Sequence, residues 1–295
     1  MLKNDSKKKK IKLVNFVKQK HWVGNGFHVY GLLRISKEIY RYISPFILMD
    51  YAPPKNFNIS SLRRGVGEHP HRGFETVTFS YQGEIEHRDS LGGGGIIKPG
   101  DVQWMTAGNG IVHDEFHSLE FSKKGGIFEM VQLWINLPKK NKMTQPKYQG
   151  IKARNIPTAL LGKGTNLRII AGNFRGINGS FTTYTPINIY DLVSKKDEDI
   201  MINFKCGTNT IILIMKGEMK IENSVFKKNH ILIFEPTGED IAFKACKGFK
   251  CLILNGEPIN EPIFTYGPFV MNTKKEIHQA ILDFESGKMG SINKY

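Results

Sequence analysis

Short apolar or alternating stretches, each cut off by Gly, Asn, Ser or Pro, run from Phe74 to Val102 and again from Ile211 to Phe243. Segments of that length carry the period of strands, so the chain is expected to fold as antiparallel β-structure, a sandwich or barrel. Gly92 to Gly95, Pro99-Gly100-Asp101, Asn223-Ser224 and Lys228-Asn229 supply the turns. One clear helix is predicted, from Lys274 to Ser286. Thr273 and Glu276 form a capping box, Ile277, Ala280, Ile281 and Phe284 share a face, and Gly287 can end it.

The string Phe79-Ser-Tyr-Gln-Gly83-Glu84-Ile85 resembles Leu213-Ile-Met-Lys-Gly217-Glu218-Met219, and each is followed by a turn and a further strand ending near Gly100 or Asn229. Two related β-domains in tandem account for this, and 295 residues suffice for two domains of ordinary size. Between Leu137 and Asn166 the strand rhythm is lost and prolines gather, which places the linker there. The domains are expected at 1–137 and 138–295.

The formal net charge is +15, an excess that raises nucleic acid or an anionic membrane as partners. Lysine supplies 33 of the 42 basic residues, in scattered short clusters, and lacks the arginine forks and interleaved aromatics of nucleic-acid readers. Nucleic acid is therefore not an expected partner, and Lys7 to Lys10 reads as a solvated charged segment. The longest aliphatic run, Ile211 to Met215, is far short of a membrane span. No apolar signal-peptide core follows the basic N-terminus, and three cysteines without metal-type spacing read as small buried hydrophobes. A cytoplasmic protein is expected.

His69-Pro70-His71 opens the first β-rich region, and His113-Asp114-Glu115 follows the Pro99-Gly100-Asp101 turn. Residues i and i+2 of a strand point to one face, so each pair aims two side chains at one spot. If both strands line one barrel, three imidazoles and a carboxylate converge into a ligand set for a divalent metal.

These residues carry a resemblance. His69-Pro-His-Arg-Gly-Phe-Glu75-Thr-Val, then Pro99-Gly-Asp-Val-Gln-Trp-Met-Thr-Ala-Gly-Asn-Gly-Ile-Val-His113-Asp-Glu115, and finally Gly267-Pro-Phe-Val-Met-Asn-Thr, resemble the pirin family of bicupins over nearly the whole chain. The resemblance implies an all-β fold of two tandem cupin barrels with a C-terminal helix. It also implies Fe(II) held only in the N-terminal barrel by His69, His71, His113 and Glu115, a site that Mn, Co, Ni, Cu or Zn could also occupy. The family includes quercetin 2,3-dioxygenases and nuclear regulators of transcription. The function it implies is ring cleavage of a flavonol-like aromatic by dioxygen, with Glu115 as the catalytic base. The alternative is an iron-binding regulatory protein that senses redox state and acts on a protein partner.

Carrying the offsets of the four ligands from Gly83 and Gly100 over to Gly217 and Asn229 gives Asn203, Lys205, Ala242 and Lys244, so the second barrel is expected to be metal-free. Glu75 has the parity of His69 and His71 if the strand is unbroken, and is expected to support the ligands or wall the pocket. His87 is expected at the surface or in strand pairing and His117 at the rim. Phe74, Trp104, Met105 and Phe116 are candidates for the pocket wall, with core packing the default for each one singly.

Overall fold

The computed structural model describes residues 7–292. Two compact units emerge, each built on a seven-stranded and a four-stranded antiparallel sheet. In the first, which carries the histidine pairs, the large sheet runs in the order Lys147–Ile151, Val102–Thr106, Phe74–Gln82, Gly126–Asn136, Phe46–Phe57, Phe27–Arg34 and His21–Val23. Its small sheet runs Gly65–His71, Ile111–His117, Ile85–Asp89 and Gly94–Ile97. In the second, the large sheet begins Ile11–Phe16, His230–Phe234, Asn209–Lys216 and Lys250–Gly256, and the small sheet runs Glu198–Asn203, Asp240–Ala245, Glu218–Ile221 and Ser224–Lys227. The two topologies match strand for strand, so the tandem cupin architecture is the fold of this chain. The repeated turns match as well. Gly83 and Gly217 take φ of 79° and 77°, and Gly100 and Asn229 take 90° and 68°, the left-handed region in which Gly and Asn are tolerated.

The units do not divide at 137/138. Ile11–Phe16 completes the large sheet of the second barrel by pairing with His230–Phe234. Lys147–Ile151, inside the expected linker, completes that of the first by pairing with Val102–Thr106. The helix, Lys274–Glu285, belongs with the first barrel, where Ile277 and Ala280 pack with Val112, Phe269 and Met271. An edge strand goes to whichever ladder is open, and a helix to whichever apolar face is bare. Neither partner is written in the local sequence. The cap forms with one change: Thr273 Oγ1 accepts from the Glu276 amide at 3.2 Å, and Glu276 Oε2 reaches one residue beyond the cap to accept from the Asn272 amide at 3.0 Å.

The second barrel is filled by one apolar core that draws Ile202, Ile241 and Phe243 from its small sheet, Phe204 from the residue just past Glu198–Asn203, and Ile212, Ile214 and Ile253 from its large sheet. The three cysteines are free thiols, with Cys251 buried but Cys206 exposed, because the latter sits in the turn after Glu198–Asn203. Among the described residues no helix is long and apolar enough to cross a membrane.

Candidate metal centre

The strands Gly65–His71 and Ile111–His117 are antiparallel neighbours that set His69 opposite His113, with a bulge between His113 and Glu115. Ring centroids lie 4.8 Å apart for His69 and His71, 4.3 Å for His69 and His113, and 4.7 Å for His71 and His113. One nitrogen from each ring falls within 4.8 Å of the others. His71 and His113 are buried and His69 half-buried, so the cluster opens on the His69 side.

The hydrogen-bond partners of these rings leave ring nitrogens free toward one another. His69 Nδ1 lies 2.7 Å from the Gly67 carbonyl, which leaves Nε2 available. His113 Nδ1 lies 3.2 Å from His87 Nδ1, and His113 Nε2 is buried with no hydrogen-bond partner among the described residues, as is His71 Nδ1. Orphaned buried nitrogens are rare in folded proteins, and a cation that both can ligate explains them. Burial holds His71 and His113 well below the ordinary imidazole range, and the neighbouring His69 ring pushes the same way. Both rings are therefore neutral lone-pair donors near pH 7, as metal ligation requires.

Glu115 lines the same hollow as His69 and His71, a cavity of about 200 Å³ walled on its apolar side by Phe27, Val29, Met130 and Trp134. Its Oε1 accepts from Gln103 Nε2 at 3.0 Å and Thr78 Oγ1 at 3.3 Å, and its Oε2 from Gln132 Nε2 at 2.8 Å. Its donor oxygen groups with His113 and His87, so His113 is shared between the three-histidine set and a second set that contains Glu115. The donor set of neutral imidazole and carboxylate, without thiolate, suits an open divalent site.

The structure settles or changes several expectations. His87 takes the strand-pairing alternative, opposite Glu115, and is 1% exposed where a surface place would leave it open, because Ile85, His87 and Asp89 alternate inward along their strand while Glu86 and Arg88 face out. His117 is no rim residue. It is enclosed by Phe27, Phe57, Phe121 and Phe128, and with its Nε2 3.0 Å from the Gly26 carbonyl its pKa is pushed down to about 4 by burial.

Glu75 lies outside the cavity lining, because Gly73, at φ 85°, breaks the strand after His71. Beyond the break Phe74 packs on His71, with centroids 5.0 Å apart. Glu75 faces the other way, accepts from Thr106 Oγ1 at 2.7 Å, and is raised to about 7 by burial. Trp104 shares that outer face through its pairing beside Glu75. None of Phe74, Trp104, Met105 and Phe116 lines the cavity. Phe74 backs His71, Met105 packs with Ala107 and Ile111, and Phe116 lies under Arg63.

In the second barrel the ladders correct the carried-over register by one residue. Ile85 and Met219, each two residues past its glycine, stand opposite His117 and Ala245. Counting back places Ile241 and Phe243 at the positions of His113 and Glu115. Ile202, opposite Ile241, takes that of His69, and Phe204 that of His71. Loops that differ by one residue flip the face presented. These four apolar side chains offer no donor atom. A larger hollow of about 810 Å³ on this barrel is lined by charges of both signs, Lys8, Lys220 and Lys244 with Asp199, Glu222 and Asp240 among them, and holds no histidine.

Sequence reasoning passed over Tyr148, Gln103, Gln132 and Asp50. Tyr148 stacks on His87 at 5.0 Å and donates to Gln103 Oε1 at 3.3 Å, extending the chain of hydrogen bonds that ends on Glu115. Asp50, tied to Arg34 and opposite Gln132, lines the cavity. The inward alternation past Gly83 was the available signal for His87 and Asp89. Tyr148 had none, since its strand pairs with the distant Val102–Thr106 and its hydroxyl reaches Gln103 across 45 residues.

Two family models match the chain, one described as Pirin over residues 27–135 and one as Pirin C-terminal cupin domain over residues 189–290. A Pseudomonas aeruginosa protein with the provisional name quercetin 2,3-dioxygenase is 43% identical over 270 residues, covering 91% of this chain and 94% of its own. A crystal structure of quercetin 2,3-dioxygenase from Acinetobacter baumannii superposes with a TM-score of 0.93 at 47% identity, over 97% of this chain and 99% of that one. A bacterial pirin from Escherichia coli, solved in complex with nickel(II), shares the fold at a TM-score of 0.63 and 19% identity, over 84% of this chain and 100% of that one.

Proposed function

The chain belongs to the pirin family, and on that premise we propose that its N-terminal barrel holds one divalent metal, natively Fe(II), on His69, His71, His113 and Glu115 and cleaves a flavonol-like aromatic with dioxygen. The observation that carries this reading is the convergence of three imidazoles, two with orphaned nitrogens, beside a cavity that His69 and His71 line together with apolar side chains. When bound, the metal supplies Lewis acidity toward an enolic hydroxyl and a redox partner for dioxygen. His71, packed against Phe74 and Trp134, and His113, packed against His71, are neutral and hold their rings in place for it.

Glu115 takes the proton of the substrate hydroxyl. Gln103, Gln132 and Thr78 hold its carboxylate by three hydrogen bonds, so the base is oriented before substrate arrives. Phe27, Val29, Met130 and Trp134 offer flat apolar walls and exclude water, and Asp50 accepts a hydroxyl at the polar side. A volume near 200 Å³ lies below the usual range of roughly 300–1,000 Å³ for small-molecule pockets, so the oxidised ring enters and the remainder of the substrate stays at the mouth. The overall change is balanced, with flavonol and dioxygen giving the ring-opened ester and carbon monoxide. The free thiols accord with a reducing cytoplasm.

Aerobic incubation of iron-loaded protein with a panel of flavonols, scored by carbon monoxide release against metal content, tests the reading. Turnover proportional to bound iron is expected. No release across the panel from protein carrying one iron per chain would reject the dioxygenase in favour of the regulatory alternative.

A further inference from the structure

Asp89 and His87 stand behind His113 in a line. Asp89 Oδ1 accepts the amides of Leu91 at 3.0 Å and Gly93 at 2.9 Å, in a turn so close that a Cβ on Gly93 would come within 2.5 Å of the carboxylate. The other oxygen, Oδ2, lies 3.3 Å from His87 Nε2, and His87 Nδ1 lies 3.2 Å from His113 Nδ1. All three residues are at least 95% buried.

A carboxylate can only accept, so the proton of this pair belongs to His87 Nε2. With that proton on Nε2, Nδ1 of the His87 ring is the accepting nitrogen, and the short contact to His113 needs a proton from the other side. That proton is on His113 Nδ1. His113 Nε2 is left with a lone pair and, as seen, with no hydrogen-bond partner among the described residues. Tyr148, stacked on His87 at 5.0 Å and 25°, fixes the plane of the intermediate ring.

The geometry points to Asp89 and His87 as positioning residues that hold His113 in its Nδ1–H tautomer, so that Nε2 is presented to His69 and His71 before any metal arrives. The inference rests on the metal reading of the preceding section and deepens it. It also separates the two donor groups that share His113: His87 supports the site from outside and does not ligate. A metal-bound histidine commonly donates its second N–H to a carboxylate or carbonyl. Here a second imidazole relays that bond from Asp89.

The tautomer is read directly in metal-free protein, where no activity enters. With histidine labelled in 15N, long-range proton–nitrogen correlation of the wild type should show His113 protonated on Nδ1 and His87 on Nε2. A His113 proton on Nε2 would overturn the proposal. His87→Phe keeps the ring against Tyr148 and removes the acceptor. It should move the His113 proton to Nε2 and weaken Ni(II) binding, measured by chelator competition, by roughly 10- to 100-fold. His87→Gln, whose carbonyl can accept from His113, should recover most of that loss, which a purely structural effect would not. Unchanged nickel affinity in His87→Phe would also overturn the proposal. If the wild type bound no nickel or iron, the metal reading would fall, while the tautomer assignment would still stand or fall on the nitrogen spectrum.

Discussion

Two cations sit on Asp283 at the same distance: Arg72 Nη1 and Lys288 Nζ each lie 2.8 Å from a carboxylate oxygen. Their surroundings differ. The Arg72 side chain is 6% exposed and that of Lys288 65%, while Asp283 itself is 12% exposed. Arg72 follows His71, and its Nε also donates to the Asn109 carbonyl at 2.7 Å, so this pair ties the C-terminal helix to the strand that carries two of the histidines. An exposed ion pair contributes at most about 1 kcal/mol, because water screens it and side-chain entropy opposes it. Removing one partner of a buried pair costs about 3–5 kcal/mol, because the other is left charged and unsolvated. Asp283→Ala should therefore cost about 3 kcal/mol, the low end because Arg72 keeps Asn109, and Lys288→Ala about 0.5 kcal/mol. The assay is native-state hydrogen exchange on Lys274–Glu285, which reports opening of the helix itself and does not require the two barrels to unfold together. Protection of the helix should fall by about two orders of magnitude in Asp283→Ala and by a few-fold in Lys288→Ala. Equal losses in the two variants would refute the argument that burial decides. The hydrogen bonds from Lys288, Arg72 and Gln279 hold the Asp283 carboxyl well below its usual range. The stabilisation is present above the ordinary carboxyl pKa and is lost as pH falls toward the folded one, so helix protection should persist to about pH 4 and fade below it.

His71→Ala and His113→Ala should empty the metal site with circular dichroism unchanged. Wild-type iron content should be near one per chain, and a value near two would contradict the apolar interior of the second barrel. Because burial keeps His71 and His113 well below the usual histidine range, proton competition at these ligands should leave metal occupancy intact at pH 6 and reduce it only further down. Half-loss by pH 6.5 at limiting free metal would count against this. His117, neutral in the fold and near pKa 4 against about 6.5 unfolded, stabilises fully above pH 6.5 and loses that stabilisation as pH falls to 4. Urea titrations should show wild type losing about 3 kcal/mol more than His117→Phe over that window, and parallel curves would refute the assignment. Glu115→Gln, reconstituted to full metal content, should lower flavonol turnover by roughly 10²–10⁴-fold, and retained turnover would reject Glu115 as the base.

Much of the site was legible because its signal is local. Two i, i+2 pairs put His69 with His71 and His113 with Glu115 whatever the rest of the chain does, since a strand alternates its faces by covalent geometry alone. The repeated glycine turns revealed the tandem barrels for the same reason: a positive φ is a demand on one residue. Glu75 was misplaced where that locality ends, since one left-handed glycine at 73 resets which face follows. The choice between surface and strand pairing stayed open for His87, because a histidine between Glu86 and Arg88 looks solvated until its strand is seen to be an inner one, paired along its whole length with the strand of His113.

Alternation, turn positions, the helix and its cap, and the four residues proposed as ligands were thus determined by the sequence alone, because each depends on neighbours a few residues apart. Tertiary structure alone decided that Ile11–Phe16 closes the second barrel and Lys147–Ile151 the first, that Tyr148 and Asp89 meet at His87, and that Ile202, Phe204, Ile241 and Phe243 occupy the second interior. Those outcomes rest on which ladder each edge strand joins and on loop lengths that differ by one residue. Both are settled by pairing free energies between segments far apart in the chain, where a shift of one position exchanges the buried face for the solvated one.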